Sequence, residues 1–278
     1  MRTSRDGMRG GPGGGPAPGG GPRRGGQQPP ARDAARRPTA DGGRPAAVEA
    51  VIPAHNEAAT VATTVRALAA CPHLRRIWVV DDGSTDGTAA AARSAGAEVV
   101  RLPRRGGKAR ALLAGAAHTT APWLLFADAD LGGSARHLAR LVDLALADRA
   151  DMLIAAPPRR PGRRGFGTAV GLARWGLHRL AGRRLEAPLS GQRVLRREVL
   201  AHLEPMPPGW GIEVALTLAA LRAGLEVVEI PLAIEHRVTG WSLGGLAHRG
   251  RQLGHIAWTL AAYARRRDAG SPWGVAAP

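Results

Sequence analysis

Two aspartates at the end of a hydrophobic run are the residues of this sequence best suited to bind a metal. Asp128 and Asp130 follow residues 123–127 (WLLFA), which predict a buried β-strand. Carboxylates one residue apart lie on the same side of a strand end, so both can face one cation. Mg2+ or Mn2+ bound there would complete its coordination with diphosphate oxygens and water. The pair therefore predicts a metal that supports a departing nucleoside diphosphate.

Two further polar clusters follow predicted strands. Residues 53–57 (PAHNE) stand where a dinucleotide-binding protein would carry a glycine-rich phosphate turn. Residues 81–87 (DDGSTDG) offer carboxylates and hydroxyls that can accept hydrogen bonds from a base or ribose. Helix capping explains residues 84–87 but does not explain two adjacent aspartates, Asp81 and Asp82. Glu57 taken alone is equally typical of a carboxylate that stabilises a helix N-terminus.

The third cluster is Gly106-Gly107-Lys108, at the predicted start of a helix. Backbone amides and a lysine at a helix N-terminus suit a phosphate or a carbonyl-bearing base. Lys108 is the only lysine of a chain whose positive charge is otherwise arginine, and Asn56 is its only asparagine. This bias favours a ligand role for Lys108.

Composition restricts the class of protein. The 278 residues suffice for one large α/β domain and a tail, and 39 basic against 22 acidic residues give a net charge of +17, which indicates anionic partners. The single cysteine, Cys71, excludes an intrachain disulfide and a cysteine-rich zinc site, so we expect a cytoplasmic protein. The sequence lacks the apolar runs of a signal peptide or a membrane span. We therefore expect a soluble protein with at most peripheral membrane contact.

The polar clusters need a parallel sheet to bring them together. Runs at 48–52, 76–80, 97–101, 123–127 and 151–155 predict strands. Helices are predicted between them at 57–70, 86–95, 107–119 and 134–147. This alternation is typical of a Rossmann-like α/β fold whose ligands lie beyond the carboxyl ends of the strands.

The remaining sequence is less regular. Residues 157–165 predict a basic loop, and further helices are predicted at 166–182, 196–203, 212–224 and 243–267, with a strand at 226–232. Residues 1–46 contain nine Arg and three Asp among Gly, Pro and Ala, which predicts a disordered tail. The expected organisation is this tail, a Rossmann-like half at 47–156 and a less regular half at 157–270.

Together and in this order, VIPAHNE, VVDDGSTDGT, GGK and DAD resemble the nucleotide-sugar glycosyltransferases of family 2 with the GT-A fold. The resemblance covers about residues 48–260 and implies a mostly parallel α/β sheet, with a nucleotide-sugar-binding half at 47–156 and an acceptor- and metal-binding half at 157–270. It implies that residues matching 53–57 and Asp82 hold a uridine, that Lys108 contacts the base, and that Asp128 and Asp130 bind donor and metal. The implied donor contacts are Pro53, Ala54, His55, Glu57, Asp82, Gly107, Lys108, Asp128, Ala129 and Leu189.

The segments 188–193 (PLSGQR), 209–213 (GWGIE) and 235–237 (EHR) resemble the bacterial glucosyl-3-phosphoglycerate synthases. That resemblance implies that His236 completes a metal site with Asp130 and Asp128. It also implies that Glu213 lies beside the sugar or acceptor, and that glucose passes from UDP-glucose to a small acidic acceptor.

The acceptor site matches less well. Gly165 and Thr168 fall where the synthases hold phosphoglycerate, and Arg237 is the third implied acceptor residue. Phe166 occupies a place where we would expect a basic residue. The arginines of the 157–165 loop can attract an anionic acceptor or simply be solvated.

The sequence leaves several alternatives open. A retaining enzyme needs no protein base, whereas an inverting one would use Glu213 as general base beside the metal ligand Asp130. A polyprenyl-phosphate glycosyltransferase at the membrane surface is suggested by Ile256, Trp258, Leu260 and Tyr263 followed by three arginines. A non-enzymatic nucleic-acid binder fits the charge, although aromatic residues make up only 4%. We expect no obligatory nucleic-acid partner, and a homodimer stays open.

Overall fold

The computed structural model describes residues 47–156, 167–234 and 243–268, and these include a seven-stranded sheet. Its strands are β1 (Val48–Ala54), β2 (Leu74–Asp81), β3 (Glu98–Arg101), β4 (Trp123–Phe126), β5 (Met152–Ala156), β6 (Arg193–Arg196) and β7 (Val227–Pro231). The spatial order is β3-β2-β1-β4-β6-β5-β7. Pairing is parallel except at β6, which runs antiparallel to both β4 and β5.

Helices cover both faces of this sheet. They are α1 (Val61–Ala69), α2 (Thr88–Ser94), α3 (Lys108–Ala117), α4 (Ala139–Leu146), α5 (Thr168–Ala181), α6 (Ile212–Arg222) and α7 (Leu243–Asp268). Three 3-10 turns lie at Gly132–Leu138, Arg197–His202 and Gly209–Gly211. None of the helices in the described ranges is long and apolar enough to span a bilayer.

Alternating strand side chains divide the core into two layers. Along β1, Val51 packs in the core with α3, α5, α6 and α7, whereas Ala50 and Ile52 pack in the core with α1, α2 and α4. All four residues of β4 are buried, which is typical of a strand covered on both faces. The arrangement explains why the strands read as continuous apolar runs.

The approach of α3 to the sheet depends on a glycine. A Cβ atom added at Gly115 would lie 2.3 Å from Cγ1 of Val51, far inside van der Waals contact. The small residue lets α3 lie close against β1, and this fixes the position of Lys108 at the first turn of the helix.

The structure confirms the predicted strands of residues 47–156 to within a few residues, and also α1, α2, α3, β7, α5, α6 and α7. The helix predicted at 134–147 is instead the 3-10 segment Gly132–Leu138 followed by the shorter α4. The helix predicted at 196–203 is instead the 3-10 turn Arg197–His202. Strand β6 was not predicted, because it has only four residues and an arginine at each end. The predicted disordered tail, residues 1–46, and the predicted basic loop, residues 157–165, lie outside the described residues.

Candidate active site

The ends of three parallel strands form one wall of a cleft of about 750 Å³. Strand β1 lies between β2 and β4. The strands that follow it in the sequence, β2 and β3, lie on one side of β1, and β4 begins the other side, so the strand order reverses at this point. Such a switch point is where open α/β sheets bind ligands. The described lining residues are Pro53, Ala54, His55, Glu57, Asp82, Arg105, Gly106, Gly107, Lys108, Asp128, Ala129, Asp130, Pro208, Gly209, Trp210, Arg251 and His255.

The loop after β1 is bound to the loop after β2. Asn56 has a positive φ of 55°, and its side-chain oxygen accepts a hydrogen bond from the Thr85 amide at 3.0 Å. Its own amide donates to Ser84 Oγ at 2.9 Å, and His55 Nδ1 lies 2.9 Å from the Asp82 carbonyl oxygen. Asparagine tolerates this left-handed conformation better than most residues. The only asparagine of the chain therefore has a structural role in shaping the cleft.

Asp82 positions the loop before α3. Its two carboxylate oxygens accept hydrogen bonds from the amides of Gly106, at 2.6 Å, and Gly107, at 2.7 Å. The neighbouring Gly83 has a φ of 68°, and a Cβ atom added there would lie 2.7 Å from the Arg105 nitrogen. Glycine thus allows the two loops to touch, and the buried Asp82 carboxylate holds them together.

Lys108 forms a largely buried cluster with two carboxylates. Its Nζ lies 2.7 Å from Asp128 Oδ1 and 2.8 Å from Glu213 Oε1, and the Glu213 side chain is only 5% exposed. Burial acts to lower the pKa of Lys108, but the charges and hydrogen bonds of Asp128 and Glu213 outweigh it and raise the pKa above its ordinary value. Lys108 therefore stays charged and ties the cleft to the start of α6.

The segment before β6 completes this cluster. Gln192 Nε2 donates to Asp128 Oδ2 at 2.6 Å. The buried Arg193 donates to the Glu213 carbonyl at 3.0 Å, and burial lowers its pKa to about 10 although Glu213, Asp128 and Glu229 oppose that change. Gly191 lies against the ion pairs, since an added Cβ would be 2.5 Å from Lys108 Nζ. The motif PLSGQR thus packs around Lys108 and Asp128.

Asp128 and Asp130 are two cleft carboxylates separated by one residue, just beyond the end of β4. Asp128 contacts Lys108 and Gln192, and Asp130 is half-buried and lines the cleft beside it. The described residues contain no cluster of three or more His, Cys, Asp or Glu side chains that could hold a metal ion. Mg2+ is commonly held by one or two carboxylates together with substrate phosphates. The donor set present fits a cation that is shared with a phosphate ligand.

The opposite wall comes from the Gly209–Gly211 turn and α7. The Trp210 amide donates to His255 Nδ1 at 3.4 Å, and the two rings stack with centroids 5.6 Å apart. Arg251 lies one helical turn before His255 and lines the same cleft. This wall adds two basic side chains to the cleft.

The structure brings most of the predicted site residues together. Ten of them line the cleft, namely Pro53, Ala54, His55, Glu57, Asp82, Gly107, Lys108, Asp128, Ala129 and Asp130. Glu213 adjoins it through Lys108. Leu189 packs against the hydrophobic core, and Thr168 is an exposed residue at the first position of α5. Gly165, His236 and Arg237 lie outside the described residues, so their roles stay predictions.

Sequence reasoning missed Gln192, Arg251 and His255. Gln192 belongs to the motif at 188–193 (PLSGQR), which predicts a resemblance but no role for this residue. Arg251 and His255 are spaced i, i+4 on a predicted helix, which places them on one face. That spacing is a signal in the sequence, although it does not show what the face contacts.

Residues 49–200, more than half of the chain, match the family described as glycosyl transferase family 2. The chain is 30% identical over 233 residues to the glucosyl-3-phosphoglycerate synthase of Mycobacterium tuberculosis, covering 75% of this chain and 68% of that enzyme. It is 35% identical over 205 residues to an uncharacterised glycosyltransferase of Mycobacterium bovis, covering 70% and 88% of the two chains.

The fold also matches a solved structure. The crystal structure of the M. tuberculosis synthase in complex with Mn2+, uridine-diphosphate-glucose and phosphoglyceric acid superimposes with a TM-score of 0.65 at 28% identity. The match covers 78% of this chain and 79% of the synthase chain. These findings confirm the predicted GT-A fold.

Proposed function

The chain belongs to glycosyl transferase family 2, and from that premise we propose that it transfers a hexose, with glucose as first candidate, from a UDP-sugar to a small phosphorylated acceptor such as 3-phosphoglycerate. The observation that carries the proposal is the single cleft that joins Asp130 to Asp82 and Lys108. The complex of the mycobacterial synthase with Mn2+, uridine-diphosphate-glucose and phosphoglyceric acid supports the choice of reactants. The reaction would take place in the cytoplasm.

The proposed donor site follows the strand ends. Residues 53–57, with the loop held by Asp82, would bind the uridine, since Asp82 oxygens keep lone pairs for a base N–H after bonding two amides. Lys108, fixed by Asp128 and Glu213, would lie beside the base and the sugar.

The diphosphate would lie against Asp130. Mg2+ or Mn2+ bound there supplies positive charge that stabilises the leaving nucleoside diphosphate. Asp130 would hold the cation, and Asp128 would support it while remaining paired to Lys108. The acceptor hydroxyl would attack the anomeric carbon, and the bond from that carbon to the diphosphate oxygen would break. The hydroxyl proton would pass to an oxygen of the departing diphosphate or, in an inverting enzyme, to Glu213. His236 is the proposed third metal ligand.

Glu213 has two possible roles that depend on stereochemistry. Its contact with Lys108 favours positioning of that lysine, as a retaining enzyme would require. If the product is inverted, Glu213 is the proposed general base. Proton NMR of the product, which reads the anomeric configuration, decides between the two. Gly165, Thr168 and Arg237 remain the proposed acceptor residues.

The polyprenyl-phosphate alternative loses its main support. Ile256, Leu260 and Tyr263 are buried in the core, and the Tyr263 hydroxyl donates to the Ala215 carbonyl of α6 at 3.3 Å. These three side chains are therefore occupied by the protein itself, whereas Trp258 is 47% exposed and Ala257, Ala261 and Ala264 line an open cavity between α5 and α7.

The decisive experiment is a donor screen. UDP-glucose, other UDP-sugars and GDP-mannose are incubated with and without 3-phosphoglycerate, and nucleotide release and glycosylated product are measured. We expect UDP release that requires Mg2+ or Mn2+ and falls about a hundredfold or more in Asp130→Asn, because charge stabilisation of a leaving group is lost.

Asp143→Asn is the matched control, because Asp143 is a 58% exposed aspartate on α4 outside the cleft. It should keep full activity. Undiminished transfer in a chelator, or in Asp130→Asn, would contradict the proposed metal site.

A further inference from the structure

The α7 wall of the cleft holds two basic residues to which the sequence assigned no role. Arg251 and His255 lie one turn apart on α7 and line the same cleft as Asp130 and Asp82. Neither the acidic motifs nor the proposed donor contacts use them.

The GWG turn is shaped to receive this face of α7. A Cβ atom at Gly209 would lie 2.8 Å from His255 Nδ1, and one at Gly211 would lie 2.1 Å from Thr259 Oγ1. Gly209 also has a φ of 32°, which few side chains tolerate. The two glycines therefore explain the motif physically, because they let His255 and Thr259 pack against the backbone of the turn.

The contacts of His255 fix which ring nitrogen donates. Since the Trp210 amide donates to Nδ1 at 3.4 Å, Nδ1 is the acceptor, and Nε2 carries the hydrogen of the neutral ring. Stacking on Trp210, at an interplanar angle of 22°, holds the ring orientation. The turn and the stacked indole therefore hold the His255 ring in one orientation at this wall.

The side chains of this wall have the chemistry to bind an anion. The Asp82 carboxylate is bound by two amides and Asp128 is paired with Lys108. The other charged side chains of the lining are Glu57, Asp130, Arg105 and Arg251, and of these Arg251 lies on α7 with His255. A planar guanidinium beside an N–H donor is a typical arrangement for binding phosphate oxygens.

We infer that Arg251 and His255 bind a phosphate group of a reactant at the wall opposite Asp130. The inference rests on the proposed function and deepens it. The phosphate has two possible sources, the diphosphate of the donor and the phosphate of the acceptor. The geometry of the wall suits either, so the test must separate them.

The test uses the full chain and steady-state kinetics with UDP-glucose and 3-phosphoglycerate, together with calorimetric titration of UDP and of inorganic phosphate. Arg251→Gln removes the charge, and His255→Phe keeps a ring on Trp210 while removing both nitrogens. Each should raise the KM of one reactant about ten- to a hundredfold, as expected for lost hydrogen bonds to a charged group, with a smaller effect on kcat. Arg251→Lys should recover part of the loss.

Arg265→Gln is the control, because Arg265 is an exposed arginine on the same helix and does not line the cleft. A raised KM for UDP-glucose with weaker UDP binding assigns the wall to the donor. A raised KM for 3-phosphoglycerate with unchanged UDP binding assigns it to the acceptor.

KM values and UDP and phosphate affinities within twofold of the unmodified protein, in both variants, would overturn the inference. If the unmodified protein binds no UDP and transfers no sugar, the proposed function itself fails, which is a separate outcome. Circular dichroism of each variant shows whether the fold is retained.

Discussion

At the scale of single residues, the site depends on how Lys108 compensates two acidic side chains. Asp128 and Glu213 are 25% and 5% exposed, so removing the lysine leaves two carboxylates near one another with little solvent. We expect Lys108→Met to lower the free energy of unfolding by about 3 kcal/mol, as for other broken buried pairs. Urea denaturation measures it. A combined Lys108→Met and Glu213→Gln variant should recover part of the loss, and additive losses would argue against the cluster.

The same cluster predicts a dependence on pH. The pKa of Lys108 is raised on folding, so its stabilising contribution is complete below the ordinary lysine pKa of 10.5. The contribution is lost as pH rises from there through the higher folded-state value. The stability difference between the unmodified protein and Lys108→Met should thus be constant from neutral pH to about 10 and shrink above it. A difference that shrinks in the neutral range would contradict the assignment.

Gly191 tests the packing around these ion pairs. A Cβ atom there would lie 2.5 Å from Lys108 Nζ and 2.7 Å from Asp128 Oδ2, and both groups are held by other partners. We expect Gly191→Ala to lower kcat/KM about tenfold or more and to lower the melting temperature, because an ion pair must move.

Gly171→Ala provides the comparison. Gly171 lies within α5 and has nothing within 4 Å of an added Cβ, so alanine should raise stability by up to about 1 kcal/mol through its helix propensity. Equal behaviour of the two variants would show that Gly191 is not under steric constraint.

The sequence indicated which residues are important in the site, but it did not indicate which residues they contact. Lys108 and Asn56 were singled out because each is the only residue of its type. The partners could not be predicted, because Glu213 reaches Lys108 from α6 and Thr85 reaches Asn56 from another loop. Such contacts depend on tertiary packing, which local patterns do not contain.

At the scale of elements, apolar periodicity was sufficient to predict a strand or helix whose apolar face is covered by the rest of the protein. Strand β4 is fully buried and was predicted, whereas β6 has an arginine at each end and was missed. Arg193 is nevertheless buried, because carbonyl oxygens of Ser190 and Glu213 accept its hydrogen bonds. A buried charged residue interrupts the apolar pattern by which a strand is predicted from sequence, so the strand that contains it is missed.

The packing of α7 on the GWG turn gives a prediction at this scale. A Cβ atom at Gly211 would lie 2.1 Å from Thr259 Oγ1 and 3.1 Å from the His255 carbonyl oxygen, so Gly211→Ala must displace the helix or the turn. We expect a loss of about 1–3 kcal/mol in stability, as for other overpacked sites. Thermal unfolding measures this loss.

Gly254→Ala is its matched control. Gly254 lies on α7 with no atom within 4 Å of an added Cβ, and alanine favours the helix. It should be at least as stable as the unmodified protein. Two variants that melt together would mean that the turn does not hold α7.

At the scale of the whole molecule, the positive charge is divided between residues 1–46 and the rest of the chain. Residues 1–46 carry nine Arg and three Asp, so six of the seventeen net charges belong to that segment. The described cleft residues all lie between Pro53 and His255, and the family match begins at residue 49. The charge of residues 1–46 and the charge that lines the described cleft therefore belong to different parts of the chain.

Deleting residues 1–46 tests this division. We expect kcat and KM for sugar transfer to stay within about twofold, because every contact described around Lys108, Asp128 and Asp130 is kept. Binding of a single-stranded RNA, measured by fluorescence anisotropy, should weaken strongly, and its dependence on salt should become shallower because fewer phosphates are neutralised. A folded truncated chain that binds RNA unchanged but no longer transfers sugar would place the reactant site partly in the deleted segment.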